Sequence, residues 1–245
     1  MFEIQIEDST FAALADKAII ITGASSGIGL AATRFFSTHG AHVIAADVNP
    51  LPEEIKNTTF RRVDLTKWTE QLDLFQWTFD KFGRIDIAFL NAGVAEIEDL
   101  FVDTFDEGGR LKEPKHKVLA VNLLAPINGT KIAIHFMKKQ KQSGSIVITG
   151  SGFNGIGGTP MYAVSKHGLL GMVRTLQTDI PAEFDITLDM VCPFWTDTGI
   201  ISPEQKEQLA SAKKCMQPAD APAKAVAYLA LNRESHGRVA VVARG

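Results

Sequence analysis

Short runs of apolar, mostly β-branched residues recur along the chain and alternate with stretches whose apolar residues are spaced as on a helix. The first run, residues 18–22, contains no charged residue and predicts a strand buried on both faces. Further runs predict strands at 41–46, 59–63, 85–90, 145–149, 187–193 and 237–242. Strands that alternate with helices of ten or more residues form βαβ units, so the pattern predicts an α/β fold with a doubly wound parallel sheet.

The helical stretch between the third and fourth strands has clear start and stop signals. Its apolar residues, from Trp68 to Phe79, have helical spacing. Thr66 is the predicted N-cap, and Glu70 lies in the first turn. Gly83 is predicted to end the helix.

The composition narrows the class of protein. The chain has 245 residues, 45% of them hydrophobic, with a net charge of −3 and no basic block, so nucleic acid is not an expected partner. No apolar run reaches the roughly 20 residues of a membrane span, and the acidic N-terminus lacks the basic region of a targeting signal. Two cysteines give no disulfide framework, and the histidines show no metal-ligand spacing. We expect a single cytoplasmic domain over residues 1–245, without metal or membrane partner.

Three glycines follow the first strand and precede a helical pattern. Gly23 permits a sharp turn, Gly27 allows the backbone to approach a pyrophosphate, and Gly29 allows the helix to pack close to the sheet. The phosphates would face N–H groups at the helix N-terminus. The Gly-x3-Gly-x-Gly spacing predicts a dinucleotide site, although a glycine-rich turn that binds nothing is the alternative.

Asp47 ends the second predicted strand, about 20 residues after the glycines. A carboxylate there accepts hydrogen bonds from the adenosine ribose and repels a 2′-phosphate. Neither Ser26 nor Val48 supplies a basic group for that phosphate, so the sequence favours NAD over NADP. The alternative is that Asp47 only caps a turn or a helix.

Further motifs follow along the chain. In their order and spacing they resemble the motifs of the classical short-chain dehydrogenases/reductases: Thr22-Gly23-x3-Gly27-x-Gly29, Asp47, Asp64-Leu65, Asn91-Ala92-Gly93, Asn122, Ser151, Tyr162-x3-Lys166 and Pro193. The resemblance runs from about residue 16 to the end and implies a single Rossmann-type domain that binds NAD. The cofactor-binding residues that it implies are Gly23, Ser25, Ser26, Gly27, Ile28, Gly29, Asp47, Asp64, Leu65, Asn91, Ala92, Gly93, Tyr162, Lys166, Pro193, Thr196 and Thr198.

Tyr162 and Lys166 are four residues apart in a segment predicted to be helical after Pro160, so their side chains share one face. A free tyrosine, with a pKa near 10, is a weak base at pH 7. A neighbouring ammonium and a cationic nicotinamide ring would lower that pKa. The resemblance implies that Tyr162 exchanges a proton with the alcohol or ketone, and that Lys166 also binds the nicotinamide ribose. The alternative is an ordinary surface pair.

The resemblance also implies a catalytic serine after the fifth strand. The usual family spacing to the tyrosine falls on Thr149, whereas Ser151 fits the strand-end pattern with a shortened loop and is the preferred candidate. Either hydroxyl would stabilise charge that develops on the substrate oxygen. Asn122, in a predicted helix, would anchor a water that links to the lysine, and a buried structural amide is the alternative.

The substrate region departs from the family pattern. Phe194 stands where the family has a glycine after Pro193. The predicted substrate-binding residues are Ser151, Phe153, Tyr162, Phe194 and Trp195. These aromatic side chains favour an apolar substrate of several carbons.

Three segments flank this core. The acidic, aromatic-bearing segment 96–112 either borders the pocket mouth, where it would favour uncharged or cationic substrates, or forms a solvated loop. Residues 199–216 are interpreted as a substrate lid, with Ser202 as a helix N-cap before Pro203. Residues 1–15 are interpreted as an N-terminal extension.

The predicted function is transfer of hydride between NAD and a secondary alcohol or ketone, with Tyr162 as acid and base. A non-redox isomerase, dehydratase or cyclase on the same scaffold would use Tyr162 for acid–base work alone. A cofactor-binding regulator is a third class, against which the presence of Ser151, Tyr162 and Lys166 argues. The resemblance implies a homodimer or homotetramer, paired through helices near 115–138 and 161–180.

Overall fold

The computed structural model describes residues 6–96, 99–140, 142–152 and 159–243. At its centre lies one parallel sheet of seven strands in the order β3-β2-β1-β4-β5-β6-β7. The strands are β1 (Ala18–Thr22), β2 (His42–Asp47), β3 (Thr58–Arg62), β4 (Ile87–Leu90), β5 (Gly144–Thr149), β6 (Ile186–Pro193) and β7 (Val239–Val242). Each predicted strand is confirmed, with small shifts at the ends.

Helices cover both faces of this sheet, as the doubly wound prediction requires. The helices are α1 (Gly27–Thr38), α2 (Trp68–Phe82), α3 (Lys117–Leu119), α4 (Ala125–Met137), α5 (Pro160–Asp179), α6 (Pro203–Ser211) and α7 (Asp220–Leu231), with a π-helical segment at Ala120–Leu124. Side chains of α2, α4 and α5 pack on one face of the sheet, and those of α1 and α7 pack on the other. Two hydrophobic layers therefore enclose the sheet.

The side chains of β1 show why the strand is apolar up to its last residue, Thr22. Ile20 packs in the layer under α2, α4 and α5, whereas its neighbours Ile19 and Ile21 pack in the layer under α1 and α7. Successive strand residues point to opposite faces, so a strand covered on both sides is apolar throughout.

The chain order of the strands reverses at β1, which has β2 on one side and β4 on the other. In doubly wound sheets, the connections leave to opposite faces at this point and open a crevice at the carboxyl ends of the strands. The fold therefore places a ligand crevice beside the ends of β1 and β4.

The start of α2 differs from the prediction. Its N-cap residue is Lys67, and the helix begins at Trp68, so the predicted N-cap at Thr66 is wrong. The N–H and hydroxyl of Thr66 instead donate to Asp64 Oδ1, at 3.0 and 2.7 Å. An aspartate that binds the backbone two residues ahead forms an Asx turn, which fixes the chain before the helix can start. Glu70 in the first turn and a left-handed Gly83 after the last turn are confirmed.

Two peripheral segments have defined structure. Residues Asp8–Leu14 form a 3-10 helix whose Phe11 and Leu14 are buried beneath α1 and α7. The N-cap at Ser202 is confirmed, because its hydroxyl accepts from Gln205 N at 3.2 Å while Gln205 Oε1 accepts from Ser202 N at 3.0 Å. The roles of these segments as extension and lid stay predictions, as does the single domain over residues 1–245.

One helical stretch, Lys117–Met137, has the length and hydropathy of a membrane span. A core helix meets the same criterion, and this stretch contributes Ile132, Phe136 and Met137 to the buried layer under the sheet. Part of its apolar surface is therefore accounted for by the core, whereas Leu124 and Ile127 are exposed.

Candidate active site

The predicted site residues follow the carboxyl ends of parallel strands. Because these ends share one edge of the sheet, residues distant in sequence meet there. The residues are the glycine-rich turn after β1, Asp47 at the end of β2, Asp64 after β3, Asn91 after β4, Ser151 after β5, and Pro193 at the end of β6.

The glycine-rich turn has a backbone that only glycine adopts easily. Gly23 and Gly27 have φ angles of +67° and +50°. A Cβ atom on Gly29 would lie 2.0 Å from the Gly23 carbonyl oxygen, so α1 packs against the turn without a side chain between them. Ser26, the N-cap residue of α1, makes no side-chain cap hydrogen bond. The N–H groups of the first helical turn, from Gly27 to Gly29, precede the helical hydrogen bonds and form a cradle that suits an anion.

Asp47 is tied to this turn. Its Oδ2 accepts from the Ser25 N–H and its Oδ1 from the Asn49 N–H, both at 3.0 Å. The turn-capping alternative is therefore realised in the structure. An ionised carboxylate has about four acceptor positions, so capping leaves room for ribose hydroxyls.

Asp64 and Leu65 are held by the Asx turn and by α2. The hydroxyl of Thr66, followed by its N–H, holds the pKa of Asp64 below its usual range. The Leu65 carbonyl accepts from Gln71 Nε2 at 2.5 Å. This loop is thus fixed on the β2 side of the crevice.

Asn91 joins three strand ends. Its Nδ2 donates to the Thr22 carbonyl at 3.1 Å, and its Oδ1 accepts from Thr149 Oγ1 at 3.0 Å. A Cβ atom on Gly23 would lie 2.8 Å from the Ala92 Cα, so the loop after β4 packs directly on the glycine-rich turn.

Asn122 lies fully buried in the π-helical segment. Its Oδ1 accepts from the Val94 N–H at 2.8 Å, and its Nδ2 donates to the Val94 carbonyl at 2.9 Å. The side chain therefore fixes the chain just after Gly93, as the structural-amide alternative describes. Its role in a water-mediated relay stays a prediction.

Ser151 and Tyr162 are brought into hydrogen-bond contact. Ser151 is only 9% exposed, and its N–H hydrogen-bonds the Cys192 thiol. The Thr149 hydroxyl points to Asn91 instead. Of the two candidate hydroxyls, the geometry therefore favours Ser151.

Lys166 is buried beneath the same pair. Its Nζ donates to the Thr149 carbonyl at 2.8 Å and lies 5.6 Å from the centre of the Tyr162 ring. Burial lowers the pKa of Lys166 to about 8, an effect that Cys192 partly opposes. Tyr162 and Lys166 are therefore close together, as predicted from their spacing of four residues on a helix.

The expected fall in the pKa of Tyr162 is not seen in this structure. Burial raises the pKa of Tyr162 above its ordinary value, and the hydrogen bond with Ser151 opposes that rise only in part. The ammonium of Lys166 is directed to the Thr149 carbonyl rather than to the phenol oxygen. The removal of solvent therefore affects the pKa of Tyr162 more than the nearby Lys166 does.

The loop after β6 reaches both sides of the crevice. The Pro193 carbonyl accepts from the Gly152 N–H at 2.9 Å. A Cβ atom on Gly152 would lie 2.5 Å from Phe194 Cδ2. The Phe194 ring therefore covers the start of the loop that follows Ser151, here called the serine loop. A Cβ atom on Gly27 would lie 3.0 Å from Thr198 Cγ2, which places Thr198 over the glycine-rich turn.

The remaining predicted residues are placed less directly at the crevice. Thr196 is buried, and its hydroxyl donates to the Phe194 carbonyl at 2.8 Å, so its side chain stabilises the loop itself. Trp195 is half-buried. Phe153 lies outside the described residues.

Comparison with known proteins decides what class of site this is. A family model described as short chain dehydrogenase matches residues 17–209. The chain belongs to the short-chain dehydrogenase/reductase family.

Curated relatives and a solved structure agree with this family. Short-chain dehydrogenases/reductases of Penicillium roqueforti (prx4) and Acremonium egyptiacum (ascJ) are each 37% identical to this chain, covering 96% and 100% of it and 71% and 84% of the relatives. The (+)-borneol dehydrogenase 1 of Salvia officinalis is 30% identical over 91% of this chain and 90% of its own. The ligand-free aldohexose dehydrogenase of Thermoplasma acidophilum has a TM-score of 0.79 and 25% identity, covering 95% of this chain and 94% of that one.

As a short-chain dehydrogenase/reductase, the protein is an oxidoreductase that uses a nicotinamide cofactor, NAD or NADP, and a small-molecule substrate. The residues present fit such a cofactor, because Gly23 and Gly27 have left-handed backbone and Gly29 packs directly on the turn, so that backbone N–H groups at the start of α1 are available for phosphates. Within the described parts of the chain, no group of three or more His, Cys, Asp or Glu side chains is arranged to hold a metal ion.

Sequence reasoning missed two residues of this short-chain dehydrogenase/reductase site. Glu96 Oε2 accepts from the Tyr162 N–H at 2.9 Å, and Cys192 contacts the Ser151 N–H. Neither contact has a local signal, because each joins different loops of the sheet edge. The position of Glu96 soon after the Asn-Ala-Gly turn was the nearest hint that the sequence offered.

Proposed function

We propose that this oxidoreductase transfers hydride between NAD and a secondary alcohol or ketone of an apolar small molecule, with Tyr162 as the proton donor and acceptor. The observation that supports the proposal most is the contact of Ser151 with Tyr162 above the buried ammonium of Lys166. This arrangement supplies a proton, a hydroxyl for the substrate oxygen and a positive charge within one small region.

The chain's own residues divide into two tasks. The backbone cradle of Gly23, Gly27 and Gly29 would hold the phosphates, while Asp47 would hold the adenosine ribose. Asp64, Leu65 and Asn91-Ala92-Gly93 would line the adenine side, and Pro193, Thr196 and Thr198 the nicotinamide side. When bound, the nicotinamide ring accepts or donates the hydride.

Tyr162 handles the proton. Burial raises its pKa, so the phenol is protonated at neutral pH and is ready to donate to a ketone oxygen. Ser151 would donate a hydrogen bond to the same oxygen and stabilise the charge that develops there. In the direction of alcohol oxidation, the phenol must first lose its proton, so a higher pH should favour that direction.

The preference for NAD is supported by the position of Asp47. Its carboxylate sits at the end of β2, against the glycine-rich turn, where the adenosine ribose of a dinucleotide would lie. A 2′-phosphate at that place would meet like charge.

An apolar substrate is supported by the aromatic wall next to the serine loop. The Phe194 ring covers Gly152, and Trp195 follows it. The name of one relative, (+)-borneol dehydrogenase, agrees with an alcohol as substrate. Helix α6, held to the loop after β6 by the ion pair of Lys206 with Asp197 at 2.6 Å, would act as the lid.

We further propose a homodimer or homotetramer in the cytoplasm. Support for pairing through α4 and α5 comes from exposed apolar residues: Ile127 on α4, Val164 on α5, and Leu124 just before α4. Both cysteines are free, which agrees with a reducing compartment. Light scattering on the wild type and on Ile127→Glu tests the pairing, since a charge in the interface should yield monomers.

The proposal is tested by NADH absorbance at 340 nm with a panel of secondary alcohols and ketones. Turnover with at least one of them, lost in Tyr162→Phe, would support it. If no redox change occurs while a non-redox conversion of the same compounds depends on Tyr162, the isomerase, dehydratase or cyclase alternative replaces it.

A further inference from the structure

The helix that carries Tyr162 and Lys166 starts without a cap of its own. Thr159, the N-cap residue of α5, makes no side-chain cap hydrogen bond, and Pro160 has no N–H group. The first backbone bond of the helix runs from the Ala163 N–H to the Thr159 carbonyl, at 2.9 Å. The N–H groups of Met161 and Tyr162 therefore precede the helical hydrogen-bond ladder.

Glu96 fills one of these positions from a distant part of the chain. Its Oε2 accepts from the Tyr162 N–H at 2.9 Å, across a separation of 66 residues, and the side chain is half-buried. A carboxylate at a helix N-terminus is favoured both by the hydrogen bond and by the helix dipole. The contact is made to the backbone of the very residue that carries the phenol.

The other end of this short segment is fixed as well. Two residues before Glu96, both polar atoms of the Asn122 side chain pair with the backbone of Val94. Segment 94–96 thus joins the π-helical segment to the first turn of α5, immediately after the Asn-Ala-Gly loop. A displacement of that loop would be passed to Tyr162 through these two contacts.

We propose that Glu96 is a positioning residue, which holds the first turn of α5 so that the Tyr162 phenol stays against Ser151. The proposal rests on the proposed function only in taking Tyr162 as the acid and base. The length of the Glu96 side chain matters more for this role than its charge, because an acceptor oxygen must lie within hydrogen-bond distance of the Tyr162 N–H. Misplacement of a reacting group by about 1 Å can cost up to 100-fold in rate, so loss of the contact should lower kcat by roughly 10- to 100-fold.

Three variants separate reach from charge. Glu96→Gln keeps the length and one acceptor oxygen, and should keep most of the turnover. Glu96→Asp keeps the charge but is one methylene shorter, and should lose nearly as much kcat as Glu96→Ala. Asp99→Ala is the matched control, because it removes a carboxylate from the same segment, one whose partner among the described residues is the Phe101 N–H of its own loop, at 2.9 Å. It should leave kcat unchanged.

A second readout reports on Tyr162 without any substrate. The chain has only two tyrosines, Tyr162 and Tyr228, so ¹³Cζ-tyrosine NMR gives two signals, which Tyr228→Phe assigns. In Glu96→Asp and Glu96→Ala, the Tyr162 signal should shift or broaden while the Tyr228 signal stays in place. In Glu96→Gln and Asp99→Ala, both signals should match the wild type.

Two results would overturn the inference. One is a Tyr162 signal and a kcat that stay unchanged in Glu96→Asp and Glu96→Ala. The other is a kcat that follows charge rather than position. This would be seen as an equal loss of kcat in Asp99→Ala, or as a greater loss of kcat in Glu96→Gln than in Glu96→Asp. If Glu96→Asp moves the signal while Tyr162→Phe retains turnover, the positioning stands and the proposed function fails.

Discussion

The two halves of the sheet edge are built by different means. On the side of β1, β2 and β3, the site consists of half-exposed backbone turns and carboxylates that bond to residues within their own loops or next to them. On the side of β5 and β6, it consists of side chains largely removed from water: Lys166 is 4% and Ser151 9% exposed, and Tyr162 is half-buried. The first half suits recognition of a ligand, and the second suits control of proton affinity.

This difference has an energetic consequence. A carboxylate in a turn near solvent keeps its charge at little cost. A buried ammonium or phenol has its charged form disfavoured, and the pKa values of Lys166 and Tyr162 move accordingly, the former down to about 8 and the latter upward. Substitutions in the second half should therefore alter rates and pH profiles, whereas those in the first half should alter cofactor affinity.

The largest effect is expected at Tyr162. Tyr162→Phe keeps the ring and removes the hydroxyl, so the fold and NAD binding should survive while kcat falls about 10²–10⁴-fold. Steady-state kinetics and a fluorescence titration with NADH measure both quantities. Near-normal turnover would show that the second half is not the proton-transfer half.

Ser151 should follow with a loss of about 100-fold or more in kcat for Ser151→Ala, since a donor to the developing charge is removed. The matched control is Thr149→Val, which removes the hydroxyl that binds Asn91 but keeps the side-chain shape. It should lower kcat much less. The opposite ranking would assign the catalytic hydroxyl to Thr149.

The first half should show its effect in cofactor choice. NAD(H) should bind at least tenfold more tightly than NADP(H), roughly 1.4 kcal/mol, because Asp47 would face the adenosine ribose. Asp47→Asn removes the charge and should narrow this ratio, while Asp80→Asn on α2, whose carboxylate bonds only Gln76 among the described residues, should not. Equal affinities of the wild type for NAD(H) and NADP(H) would contradict the proposed role of Asp47.

The smallest effect is expected in stability. Below pH 8 the folded protein holds a charged, buried Lys166, whereas the unfolded chain keeps the proton up to its ordinary pKa of 10.5. Wild-type stability should therefore gain from Lys166 as pH rises from about 8 to 10.5, since the unfolded state then binds more protons.

Lys166→Met should remove this buried charge and raise Tm by a few degrees at pH 7, at the rate of about 2–4 °C per kcal/mol. The gain should shrink above pH 8. Lys224→Met is the matched control, because it removes an ammonium that is 48% exposed and not buried. Thermal unfolding followed by circular dichroism between pH 6 and 10 measures both, and a lower Tm at pH 7 in Lys166→Met would contradict the cost of burial.

The same contrast explains how far the sequence alone could lead. The glycine-rich turn and Asp47 depend on local backbone rules, so their placement could be predicted from spacing. The start of α2 was predicted wrongly because Thr66 is held in the Asx turn of Asp64, to which its N–H and its hydroxyl both donate, and the helix begins only after it.

Contacts on the side of β5 and β6 could not be predicted from local backbone rules. Glu96 meets Tyr162 across 66 residues, and Cys192 meets Ser151 across two strands. The pKa direction of Tyr162 depends on how much solvent the whole fold removes, which neighbours in sequence do not report. Ser151, by contrast, could be predicted, because it closely follows the end of β5, where the sequence pattern places a serine.

One measurement tests the central claim, that burial and Ser151 set the proton affinity of Tyr162. The ¹³Cζ signal of Tyr162, assigned with Tyr228→Phe, is followed against pH in the cofactor-free wild type and in Ser151→Ala. The account predicts a Tyr162 pKa above its ordinary value of 10.0 in the wild type, since burial dominates, and a further rise in Ser151→Ala, since the opposing hydrogen bond is lost. A Tyr162 pKa at or below 10.0, or one that Ser151→Ala leaves unchanged, would contradict it.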